Sequence, residues 1–138
     1  MYMEVSEMDE RIVKLLSEMD PYMPSGTMIG FLRHHNKRIT FNVNFSKDEK
    51  AEDISALDIS VRANHCLRRA GYHTIGELVN GITAKPDEEG SKTKLLKLRN
   101  LGSKTAEEIL LMIMCYQFKI LPEKERRAFV GEIVSLNS

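Results

Sequence analysis

The stretch Leu95-Leu96-Lys97-Leu98-Arg99-Asn100-Leu101-Gly102-Ser103-Lys104-Thr105-Ala106-Glu107-Glu108-Ile109-Leu110 constrains the fold more than any other. It reads as a helix, a tight turn at Asn100-Leu101-Gly102, and a second helix. Leu95 and Leu98 lie three apart on one helical face, and Leu101 plugs the turn. Gly102 supplies a residue without a Cβ where backbone must bend or approach something closely. Ser103 is a candidate N-cap, and Thr105 with Glu108 forms an alternative Thr-x-x-Glu capping box one register on. Ala106, Ile109, Leu110 and Ile113 give the i, i+3, i+4, i+7 stripe of a core-facing helix. Such a turn aims free backbone N–H groups and Lys104 outward from a helix start, where an anion is favoured. A helix-hairpin-helix that holds a nucleic-acid phosphate is built this way. An ordinary helical corner with a surface lysine has the same local pattern.

The segment upstream separates these readings. It runs Leu57-Asp58-Ile59-Ser60-Val61-Arg62, a helix, Ala70-Gly71, then Thr74-Ile75-Gly76-Glu77-Leu78. Together with Leu98-Arg99-Asn100-Leu101-Gly102-Ser103-Lys104-Thr105-Ala106-Glu107-Glu108-Ile109 it closely resembles the C-terminal domain of the bacterial RNA polymerase α subunit, over about residues 53–121. The resemblance implies a compact bundle of short helices that binds the minor groove of double-stranded DNA and also touches transcription factors. It implies that Arg62 inserts into that groove, where a guanidinium suits the concentrated negative potential of an A-tract. Locally, Arg62 also reads as a solvated helix-start arginine paired with Asp58. By the same resemblance Gly102 and Lys104 serve phosphate approach and Thr105 donates to a phosphate. Glu108 orients its neighbours or faces a protein. A plain helix cap also accounts for Thr105 and Glu108.

Two positions depart from the family pattern. His65 stands where the family usually has Asn before the cysteine, and Asn64 falls one residue early, on a different helix face. His65 can still donate a hydrogen bond to DNA. Ser103 stands where a second lysine is common, which removes a positive charge from the phosphate-facing edge. Arg68, Arg69, Lys92, Lys94, Lys97 and Arg99 offer compensating charge, or a plain solvated face.

Composition limits the alternatives. At 138 residues the protein fits one domain, or one domain with an appended element. Its formal net charge is zero, so any nucleic-acid binding rests on local patches. Cys66 and Cys115 sit in apolar helical contexts without a CxxC partner or a preceding secretory signal. They read as reduced core thiols of a cytoplasmic protein. The four histidines (His34, His35, His65 and His73) have no metal-ligand spacing, and no cofactor is expected. The longest apolar run, Ile109 to Cys115, is far too short to span a bilayer.

In sequence order, Ser6 to Met19 is expected as a helix. Ser6 caps it, Glu7, Asp9 and Glu10 crowd its first turn, and Met8, Ile12, Leu15, Leu16 and Met19 line one face. Pro21, Pro24 and Gly26 end it. Arg38 to Phe45 alternates, with Ile39, Phe41, Val43 and Phe45 on one face, as a half-buried strand does. Thr27 to Arg33 is its nearest partner, closed by His34-His35-Asn36-Lys37 into a β-hairpin, although Met28 to His35 also fits a short helix. Ser46 to Glu52 reads as a charged linker. Asn80 to Ser91 reads as a solvated loop longer than the family carries, with Ser91 capping the next helix. Glu123 to Leu136 reads as an extra helix with Phe129, Val130, Ile133 and Val134 apolar.

Ile109 to Phe118 is apolar nearly all round, so something must cover it on every side. The N-terminal element, the C-terminal helix or a second copy of the protein in a homodimer would do so. The expected fold is therefore mainly α: a compact bundle of short helices around the helix-hairpin-helix-like turn. Residues 1–50 add a helix and β-hairpin, 51–121 form the α-subunit-like domain, and 122–138 add a helix. The expected function is a stand-alone module that binds duplex DNA as an accessory of transcription, without membrane attachment. The alternative is an interaction module that meets transcription factors or polymerase with little DNA binding. No nucleophile–base pair, metal cluster or P-loop suggests an enzyme. Some fifty residues ahead of the block are too few for a polymerase-assembly domain, so the protein is not expected to replace an α subunit.

Overall fold

The computed structural model describes residues 10–35, 39–82 and 91–138. Two compact units make it up. One combines the residues up to Val43 with Met114–Ser138, and the other is the continuous stretch Asn44–Ile113. The cap assigned to Ser6, the first-turn acids Glu7 and Asp9, Met8, and residues 83–90 of the expected loop lie outside the described residues.

In the first unit, α1 (Glu10–Ser17) buries Ile12 and Leu16. A 3-10 turn at Asp20–Tyr22 follows, with proline at its start, where a missing N–H is harmless. The expected hairpin does not form. Thr27 to Arg33 instead opens α2 (Met28–His34), which packs on α1. The reason is local capping: the Thr27 hydroxyl accepts the Gly30 N–H at 3.1 Å, and an Asp20 carboxylate oxygen accepts the Met28 N–H at 2.8 Å.

The stretch from Ile39 to Phe45 keeps the alternation of a strand without becoming one. Ile39, Phe41 and Val43 are half-buried and Phe45 is buried, while Thr40, Asn42 and Asn44 are exposed. No strand forms among the described residues. At Thr40 the place of a partner strand is taken by a side chain. Asn137 donates to the Thr40 carbonyl and accepts the Thr40 N–H, both at 2.8 Å. Asn137 is the C-terminal cap of α8 (Glu123–Leu136), which buries Phe129, Val130 and Ile133 and keeps the expected limits.

The long helix α7 (Ser103–Ile120) contributes its last residues to this unit. Phe118 meets Tyr22 edge to face, with ring centroids 5.5 Å apart, and the Arg126 guanidinium lies 4.8 Å from the Phe118 centroid. Arg126 also donates to the carbonyls of Phe118, Lys119 and Leu121, so α8 supplies the donors that the end of α7 lacks. Met114, Cys115, Gln117 and Phe118 are buried in this part of α7. Burial pushes the Cys115 thiol up to about 12.

The second unit corrects the expected linker. Ser46 to Glu52 contains α3 (Lys47–Ala51), started by a full capping box between Ser46 and Glu49. α3 packs against α5 (Ile75–Ile82), and Gly76 makes the approach possible. A Cβ there would lie 2.9 Å from Lys50 Cβ and 3.0 Å from the Lys50 carbonyl oxygen. A second capping box starts α5: the Thr74 hydroxyl accepts the Glu77 N–H, and the Glu77 carboxylate accepts the N–H groups of His73 and Thr74. These bonds hold the Glu77 carboxyl below its usual range. Between the two boxes, a 3-10 turn at Ile54–Leu57 buries Ile54 and Leu57 and leads into α4 (Val61–Arg69). The short helix α6 (Ser91–Leu96) packs on α5, with Leu95 fully buried. Among the described residues no helix is long and apolar enough to cross a membrane, and no three His, Cys, Asp or Glu side chains gather as metal ligands.

Candidate nucleic-acid interface

The corner between α6 and α7 is less regular than its sequence suggests. α6 ends at Leu96, and Lys97 to Gly102 form the turn through the bonds Leu98 N–H to Leu95 O (3.0 Å) and Leu101 N–H to Leu98 O (3.3 Å). Leu101 is buried and plugs the turn as its sequence implied. The left-handed residue is Asn100 (φ 62°), not Gly102, in keeping with the tolerance of asparagine for that region. The Gly102 carbonyl accepts the Ala106 N–H at 3.0 Å, so the cap position of α7 is Gly102, one residue ahead of Ser103. A Cβ on Gly102 would meet nothing within 4 Å. The fold does not require a glycine there. Its open space faces outward, beside the unpaired N–H groups of the first turn of α7.

Two side chains, Glu108 and Cys66, fasten this corner to α4. The Ser60 hydroxyl caps α4 by accepting the Ala63 N–H at 3.2 Å. The Glu108 carboxylate in turn accepts the Ser60 hydroxyl at 3.0 Å and the Ser60 N–H at 3.3 Å. Further along α4, Cys66 Sγ donates to the Asn100 carbonyl at 3.4 Å. Asn100 therefore lies at the middle of α4 and Glu108 at its start, so α4 and the first turns of α7 run antiparallel side by side.

Arg62 and His65 both project from the exposed side of α4, while Ala63, Cys66 and Leu67 are buried. The Arg62 side chain makes no ion pair among the described residues, so the pairing with Asp58 suggested by its sequence is absent there. Gly102 and Lys104 are exposed on the neighbouring corner, and Thr105 and Glu108 are half-buried. The structure thus carries Arg62 and His65 on the exposed side of α4, and Gly102 and Lys104 on the exposed corner that adjoins its later turns. Glu108 braces the two helices from between them.

Some of the charge expected to compensate for Ser103 is committed elsewhere. Arg68 donates to Asn64 Oδ1 at 2.6 Å and pairs with Asp53 at 2.5 Å, which holds the Asp53 carboxyl well below the usual carboxylate range. Arg69 and Arg99 are exposed. Val61, a large apolar side chain, is left 73% exposed at the start of α4 beside Arg62. The sequence carries the signal for this: a valine immediately after a serine cap occupies the first helical position, ahead of the buried stripe.

A family model for the C-terminal domain of the bacterial RNA polymerase alpha chain matches residues 43–113. Among similar proteins, the DNA-directed RNA polymerase subunit alpha of Carboxydothermus hydrogenoformans is 32% identical over 97 residues, covering 65% of this chain and 28% of that subunit. That of Malacoplasma penetrans is 37% identical over 93 residues, with 67% and 25% covered. That of Symbiobacterium thermophilum is 50% identical over 56 residues, with 41% and 15% covered. The protein spans less than a third of the length of each. No solved structure matches. The matched residues begin just ahead of α3 and end inside α7, which is the extent of the second unit, and the protein belongs to the family defined by the C-terminal domain of the bacterial RNA polymerase α subunit.

Proposed function

We propose that this protein binds duplex DNA as an accessory of transcription, through the exposed side of α4 and the adjoining start of α7. Arg62 enters the minor groove, with the exposed Val61 against the groove wall. Gly102 and Lys104 hold an adjacent phosphate, and His65 donates to the backbone between them. The observation that carries this reading is the antiparallel fastening of α4 to α7 by Ser60–Glu108 and Cys66–Asn100. It sets the exposed Arg62 and the exposed Gly102–Lys104 corner on adjoining helices, with buried residues behind them, which supports the reading. A glycine that the fold does not need, in open space, suits close approach by a ligand. The protein acts by binding rather than catalysis, and transcription factors or polymerase meet it while it is on DNA.

The reading divides the roles of two cations. Arg62→Ala should erase any preference for A-tract over mixed-sequence duplex, because a narrow groove is what selects a guanidinium. Lys104→Ala should weaken both duplexes equally and lower the salt slope by about one. Fluorescence anisotropy on the two duplexes at several salt concentrations measures both effects. Absence of salt-dependent binding by the wild-type protein to either duplex overturns the reading, and a purely protein-facing module then takes its place.

A further inference from the structure

Arg69 has no role in the interface described so far, yet its position follows from the same two fastening points. The antiparallel pairing sets Asn100 against the middle of α4, so the Gly102–Lys104 corner flanks the later turns of that helix and not its start. Arg69 follows His65 by four residues and Cys66 by three, and side chains at these spacings are neighbours on a helix. It therefore continues the exposed stripe that carries Arg62 and His65, one turn beyond the edge where Cys66 meets the turn. It is exposed, whereas its neighbour Arg68 is turned away and held by Asn64 and Asp53. From Arg62 to Arg69 the helix rises about 10 Å, against a minor groove about 6 Å wide. With Arg62 at the groove floor, the far end of a helix lying across it overlies a sugar-phosphate strand.

We infer that Arg69 is a further phosphate contact, sharing the backbone held by Gly102 and Lys104 and adding positive charge to the corner where Ser103 supplies none. This rests on the DNA reading above. It selects Arg69 alone among the two adjacent arginines, and it makes the contact independent of base sequence.

The test uses the full protein and the same A-tract and mixed duplexes, followed by anisotropy between about 50 and 200 mM salt. Arg69→Ala and Arg69→Gln are the variants, with Arg68→Ala as the comparison and a thermal melt on each. Losing one phosphate contact lowers the slope of log affinity against log salt by about 0.9, so the fall in affinity across that range shrinks about 3.5-fold. Both Arg69 variants should show this on either duplex while keeping the A-tract preference, and Arg69→Lys should restore the slope. Arg68→Ala should leave the slope unchanged. If the wild type binds and Arg62→Ala and Lys104→Ala behave as expected, but the Arg69 variants keep the wild-type slope, the inference is wrong and the DNA reading stands. If the wild type shows no salt-dependent binding, both fall together.

Discussion

Replacing Glu108 separates a brace from a ligand contact. Its carboxylate accepts two bonds from Ser60, and Ser60 in turn caps α4. Hydrogen bonds to a charged group contribute about 1.5–3 kcal/mol when buried; here the site is half-buried, so water recovers part of the loss and about 1–2 kcal/mol remains. For a protein of this size that corresponds to a melting midpoint lower by about 3–8 °C. Ser60→Ala removes the hydroxyl bond together with the cap while the backbone N–H at position 60 still reaches Glu108, and the cap adds about 1 kcal/mol. The two substitutions share one interaction. In a double-mutant cycle they should therefore fall short of additivity by about 1 kcal/mol. The DNA effect has the opposite logic from a direct contact. A carboxylate beside phosphates repels them, so Glu108→Ala should lose A-tract preference through a loosened α4 start while its affinity for mixed duplex holds or rises slightly. Thermal melts of the wild type, both single variants and the double variant, with anisotropy on each, measure all of this. An unchanged midpoint and zero coupling, with affinity lost on both duplexes, would falsify the brace and make Glu108 a contact in its own right.

Other outcomes follow from specific contacts. Gly76→Ala should destabilise by about 1–3 kcal/mol, because its Cβ would press on the backbone of Lys50, whereas Gly102→Ala should leave the melt within about 1 kcal/mol of wild type and weaken DNA binding alone. Asp53 and Glu77 both have lowered folded-state carboxyl pKa values. Their stabilisation is present above the unfolded carboxylate range of about 4 and is lost as pH falls through the folded values, so the midpoint should hold from about pH 7 to 5 and decline below that, less steeply in Asp53→Asn with Glu77→Gln. Truncation after Leu121 removes buried Phe129, Val130 and Ile133, each contributing about 1.5–3 kcal/mol, and should abolish the cooperative melt of the first unit; an unchanged melt would show that α8 does not cover the end of α7.

Capping and periodicity made much of this fold legible. Glu123 to Leu136 is a helix between the residues its pattern named, and the Leu101 plug and the stripe of α7 stand as read. The hairpin failed at a place where two signals competed. The alternation from Ile39 to Phe45 is real in its burial, but the supposed partner strand begins at Thr27, which caps a helix instead. What holds the extended stretch is an asparagine amide 97 residues away, and no local pattern announces such a pairing. The Ser46–Glu49 box stands in the sequence, but α3 is too short and too polar to show an apolar stripe that would mark it as a helix. The site residues were readable one by one, but their arrangement was not. Whether Arg68 or Arg69 is available depends on Asp53 fifteen residues earlier, and the antiparallel sense of α4 and α7 depends on Glu108 reaching Ser60.

The division into a continuous unit and a split one also sets an order of events during synthesis. Asn44–Ile113 is complete in sequence before α8 has been made, so its helices can close on one another while the polypeptide is still emerging. The unit built around α1, α2 and α8 must wait for its last residues, and until then Met28, Leu32 and Met19 lack part of their final surroundings. Its contacts are long-range, so their loop-closure entropy is reduced only if the intervening unit has already become compact. The early unit then acts as a short tether that brings the two halves of the later one within reach. A mutation that slows folding of Asn44–Ile113 would delay both units and lengthen the exposure of the first unit's apolar helices.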